Sequence, residues 1–138
     1  MIAPNGPWSI LLVPSPDGLQ MMIKRRLPSN RYDVVYEHIA PDINEGAVAQ
    51  LVALAVAYIA AKVLQARGIC GTVKTRVRSF TASVIVRTHD QTSAVLEVAC
   101  HERYRLIRVG DRFFAPAAGN TLNMNLFLGT AAFISTLD

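Results

Sequence analysis

The chain has 138 residues, 51% hydrophobic and only 17% charged, with a mean hydropathy of +0.29. Its length suits one domain with its own core. Its charge, against about 25% in an average domain, leaves the surface so poorly solvated that another copy or a partner is expected to cover part of it. The longest uninterrupted apolar run, Leu51–Ala61, is eleven residues, short of the roughly 18 that a bilayer span needs, and Cys70 and Cys100 fit no metal or redox spacing.

The first residues, MIAPNGPWSILLVPSP, lack a basic leader region and are interrupted by Pro4, Pro7 and Pro14. They read as no signal peptide, so the expectation is a soluble protein, without membrane contact, in the cytoplasm or another reducing compartment with free thiols. Trp8–Val13 is a short run of strand formers, Pro14–Gly18 a turn, and Leu19–Leu27 the returning strand. Arg31–Ile39 is a third strand, whose alternation places Tyr32, Val34, Tyr36 and His38 on one face and Asp33, Val35 and Glu37 on the other.

A long helix over about 43–67 follows, about 37 Å at 1.5 Å per residue. Asp42 is its expected N-cap, with Glu45 completing a capping box. Gly68 is the expected left-handed stop, and Ile69 the hydrophobic contact behind it. Apart from Asn44, Glu45, Gln50, Tyr58, Lys62, Gln65 and Arg67, the helix is Ala, Val, Leu, Ile or Gly46. A surface helix keeps roughly half its circumference polar, so this one reads as a core rod with sheet on one side and something else on the other.

Strands resume with Thr72–Phe80, where Val73, Thr75 and Val77 alternate with Lys74, Arg76 and Arg78. Ala82–Thr88 is β-branched, and Ala94–Val109 reads as one long strand. Gly110–Asp111 signals a tight hairpin returning through Arg112–Ala115, and Thr121–Leu128 alternates Leu and Met with Asn. Thr130–Leu137 reads as a last strand or a short helix, with strand favoured. The reading is a single α+β domain over residues 1–138, one long helix packed on a mainly antiparallel sheet, in the order βββ-α-ββββ(β).

Three constellations bear on function. Net charge is +4, and residues 67–115 alone hold nine basic and four acidic groups. Period-two alternation puts Lys74, Arg76 and Arg78 on one side of their strand and Arg103 and Arg105 on one side of the long strand, with Arg87 between. If those sides coincide, they form an anion or nucleic-acid surface, tempered by Glu97 and poor in aromatics beyond Phe80. At the helix start, Asp42 or Glu45 beside an apolar groove is a candidate general base, although capping accounts for both. A long apolar helix against antiparallel strands, entered through INEGAVAQL, resembles the hot-dog domains that hydrolyse or dehydrate acyl thioesters. That resemblance implies one sheet wrapping the helix and an acidic site at a dimer interface. The chain departs from it in having no His-Gly-Gly at the helix start and three strands ahead of the helix. In Cys100-His101-Glu102 alternation separates His101 from its neighbours, so metal binding is not expected, and Glu102 is a candidate partner of Arg108.

No phosphate loop, dinucleotide fingerprint, nucleophile elbow or zinc spacing is present, and no cofactor is expected. The leading expectation is a non-enzymatic, self-associating domain, a homo-oligomeric assembly subunit or interaction module. It rests on the apolar helix, the scarcity of charge, and a Leu/Asn strand near the C-terminus able to extend a neighbour's sheet. The acyl-thioester enzyme and the nucleic-acid binder are the alternatives.

Overall fold

Short connections dictate the first sheet. Ser15 pairs with Gly18 across the two-residue turn Pro16–Asp17, so β1 (Trp8–Ser15) and β2 (Gly18–Arg26) form an antiparallel hairpin. Gly18 takes φ +130°, and a Cβ there would lie 2.0 Å from the Ala40 carbonyl oxygen, so only glycine lets β2 approach the end of β3 (Tyr32–Ala40) this closely. The computed structural model describes residues 8–29, 31–41, 44–88, 93–101, 106–115 and 122–124.

The helix α1 (Glu45–Ala66) begins later than the Asp42 pattern predicts. Its cap is Asn44, whose extended backbone lets the side-chain Oδ1 accept the Ala47 N–H at 2.8 Å. Glu45 is thus the first helical residue, not the third, and Asp42 lies outside the described residues. The far end behaves as expected. Gly68 is left-handed at φ +68°, its N–H donates to the Gln65 carbonyl and the Ile69 N–H to that of Leu64, with Ile69 half-buried against the core.

After the helix come β4 (Gly71–Val77), β5 (Thr81–Thr88), β6 (Ser93–His101), β7 (Leu106–Val109), β8 (Arg112–Phe114) and β9 (Leu122–Met124). The expected long strand over 94–109 is two strands, because the chain folds back so that His101 pairs with Leu106. The Gly110–Asp111 hairpin forms as predicted, with Val109 opposite Arg112. The element expected over Thr130–Leu137 lies outside the described residues.

The α+β layout is as the sequence implies, with one difference: there are two antiparallel sheets. One has the order β3-β2-β1-β9 and the other β4-β5-β6-β7-β8. The helix lies between them, touching β4, β5 and β6 and, more sparingly, β1, β2 and β3. The buried cluster joins all three layers: Ile10, Leu12, Met21 and Ile23 from the first sheet, Val52, Val56 and Ile59 from α1, Val84, Val86 and Ile107 from the second. Each such side chain contributes about 1.5–3 kcal/mol by leaving water.

This second sheet supplies much of the second covering of the helix that the sequence left unassigned. Ten of its 22 residues are buried by the chain's own strands, and the exposed ones are Gln50, Ala61, Lys62, Gln65 and Ala66. Length and composition alone would let α1 cross a bilayer, yet more than half of its most apolar window is packed inside the fold. Gly46 explains the close docking of its first turn, since a Cβ there would lie 2.7 Å from the Ser79 carbonyl oxygen in the β4–β5 turn. The Leu/Asn strand is also partly committed: Leu122–Met124 pairs with β1 of the same chain.

Candidate functional site

Among the described residues the β3 strand pairs with β2 alone and is the edge of its sheet. It is made of strand-forming Tyr, Val and Ile, but its pairing is not uniform. Ile23 pairs with Tyr36 and Lys24 with Val34, so Val35 is an extra residue, a β-bulge. The bulge reverses the alternation along the strand. Tyr36 and His38 follow the core-facing register of Ile23 and Met21, and Val35 also packs on the core, whereas Val34 follows Lys24 on the outer face. The expectation that Tyr32, Val34, Tyr36 and His38 share a face is therefore corrected: the bulge separates the first two from the last two.

As an edge, β3 leaves much apolar surface in water. Tyr32 is 52% exposed, Val34 42%, Tyr36 38% and Ile39 47%. On the inner side, Tyr36 meets Tyr58 of α1 with ring centroids 5.3 Å apart, and Tyr58 meets Trp8 edge-on at 6.5 Å. Cations sit over this aromatic row: Lys62 over Tyr58 at 5.5 Å and Arg25 over Trp8 at 5.8 Å. Further along, His38, Ala40 and Pro41 face Ala47, Gln50 and Leu54 across a groove of ≈ 200 Å³. The open arc of the helix, where Gln50, Leu54 and Tyr58 recur at four-residue spacing, thus borders the β3 edge. Glu45 is half-buried at the helix start and does not line this groove.

The second sheet carries Lys74, Arg76 and Arg87. Register places Thr72 opposite Arg87, Lys74 opposite Ile85 and Arg76 opposite Ser83. Thr72, Lys74, Arg76, Ile85 and Arg87 line a concavity of ≈ 240 Å³ on its outer side. Three of the six predicted cations are thereby brought together. Arg78 is in the turn after β4, where its N–H donates to the Thr81 carbonyl. Arg103 and Arg105 lie outside the described residues. Glu97 is engaged elsewhere, in an ion pair with Arg108. Arg108 also donates to the Gly110 carbonyl; Glu102, its expected partner, lies outside the described residues.

The remaining candidates do not converge. Cys100 is buried and His101 exposed on the opposite face of β6, and Cys70 is exposed just past the helix. Among the described residues no three His, Cys, Asp or Glu side chains gather as a metal site would require. The single wrapping sheet implied by the hot-dog resemblance is replaced by two flanking sheets. No protein-family model, curated protein or solved structure matches this chain.

Proposed function

We propose that this chain is a non-catalytic, self-associating module, the repeating subunit of an oligomeric assembly, and that β3 is its contact. The observation that carries this reading is an edge strand of nine residues with Tyr32, Val34, Tyr36 and Ile39 all more than a third exposed. Natural edges are blunted by short length, charge, proline or bulges; this one carries the Val35 bulge and two carboxylates, Asp33 and Glu37, yet it runs nine residues and keeps four large side chains in water. The low charge of the chain as a whole supports it. Light scattering over a dilution series tests it. The expected result is a concentration-dependent oligomer that Val34→Lys with Ile39→Lys dissociates, while Val95→Lys, at a comparably exposed position on β6, leaves it intact. A monomer at every concentration up to about 100 μM, weaker than ordinary specific interfaces, overturns it.

A second reading draws on the basic concavity. Three cations around one hollow suit a phosphate group, and the larger surface a nucleic-acid backbone. Binding of a fluorescent oligonucleotide at low salt that weakens in high salt and is lost in Lys74→Glu with Arg87→Glu supports it, and no binding at low salt refutes it.

A further inference from the structure

The bulge in β3 specifies how two copies would meet, an inference that rests on the self-association proposed above. In an antiparallel pair related by a two-fold axis perpendicular to the sheet, opposite residues must point to the same face. In an unbroken strand this condition allows only registers in which some residue opposes its own copy. The bulge changes the condition, because its two halves are out of phase. Centring the axis on Tyr36 would set outward Val34 against inward His38. Centring it between Val35 and Tyr36 sets like against like at every position.

We infer that two copies join β3 to β3 about this bulge, with Tyr32 opposite Ile39 of the partner subunit and Asp33 opposite His38 of the partner subunit. The chemistry of that register is complementary. Two exposed apolar side chains, Tyr32 and Ile39, cover each other on the outer face. On the inner face Asp33, already opposite Arg25 on β2, gains the imidazole of the partner's His38. The competing register one residue pair away, with Val34 opposite the partner's Ile39, mismatches faces at the bulge itself. Because the axis preserves faces, both helices lie on the same side of an eight-stranded sheet. The open arcs beside the two β3 edges then look toward one another, so each groove at His38 and Gln50 is closed from its open side by the other copy.

Disulfide trapping tests the register. In a Cys70→Ser background, which removes the exposed native thiol, Tyr32→Cys with Ile39→Cys in one chain is oxidised by oxidised glutathione. Directly opposed strand residues lie about 4.5–5.5 Å apart at Cα, within disulfide reach. Positions 32 and 39 within one strand are about 20 Å or more apart, so they cannot bridge. The expected result is a covalent dimer from the double variant and none from either single variant. As an independent readout, Asp33→Lys and His38→Glu each weaken association about tenfold, the pair occurring twice per dimer, and together they restore it. A dimer by light scattering that the double variant fails to trap, or that either single variant traps, overturns the register while leaving self-association standing. A monomer overturns both.

Discussion

Gly18→Ala against Gly68→Ala isolates the close approach of β2 to β3. Both glycines have positive φ, +130° and +68°, so alanine at either pays a backbone penalty of about 1–2 kcal/mol. They differ in surroundings. A Cβ at Gly68 meets nothing within 4 Å, whereas one at Gly18 lies 2.0 Å from the Ala40 oxygen and 2.8 Å from the Pro41 Cα. Restoring ordinary contact requires the end of β3 to retreat by about 1 Å or more, straining the Leu19–Ala40 pair. Forcing extra volume into a packed site costs about 1–3 kcal/mol. Gly18→Ala is therefore expected to lose about 2–5 kcal/mol and Gly68→Ala about 1–2 kcal/mol. With a urea slope near 2 kcal/mol/M, the midpoint falls by about 1–2.5 M for the first and about 0.5–1 M for the second. Urea titration followed by Trp8 fluorescence and by far-UV circular dichroism measures both. Equal midpoints for the two variants would refute the argument that β3 is seated against Gly18.

Asn44→Ala removes the oxygen that accepts the Ala47 N–H and is expected to lower stability by about 1 kcal/mol; a loss below about 0.3 kcal/mol in urea titration contradicts the cap. Ile59→Ala leaves a cavity at a fully buried position between the sheets and is expected to lose about 2–5 kcal/mol, with a surface-like change under 1 kcal/mol counting against its burial. Glu97→Ala breaks an ion pair whose side chains are 27% and 53% exposed, so stability is expected to stay within about 0.5 kcal/mol of the parent; a larger loss in calorimetry means the pair is coupled to the Gly110 turn.

Local chemistry was the part of this fold written most clearly in the sequence. Gly68 and Ile69 end the helix because only a left-handed residue satisfies its last carbonyls. Gly110–Asp111 forms its hairpin because two residues suffice when the first tolerates positive φ. What depended on a partner strand was hidden. The extra residue at Val35 exists only relative to β2, so nothing in Tyr32–Ala40 by itself reveals that the alternation reverses. The fold-back between His101 and Leu106 passes through Glu-Arg-Tyr-Arg, with no Gly, Pro or Asn to mark it, and the apolar period runs on across the break. Division into two sheets was equally illegible, because Ile10, Met21, Val84 and Val98 are the same kind of inward residue whichever layer they join. The alternation that put Lys74 and Arg76 on one side of β4 was legible, and the register adds Arg87 to the same hollow. The β3 edge, the proposed contact, was not legible because edge status is a property of strand order.

Short as it is, β9 has a role out of proportion to its three residues. It caps β1 on the side away from β2, and it is made from a segment more than a hundred residues later in the chain. A ribosome therefore releases the first strand long before its last neighbour exists. Chains halted ahead of Leu122 would present β1 as a second open border beside Ile10 and Leu12, and such borders template clumping. Truncation before that point is expected to yield inclusion bodies in expression trials, and a soluble yield equal to that of the full chain would count against it.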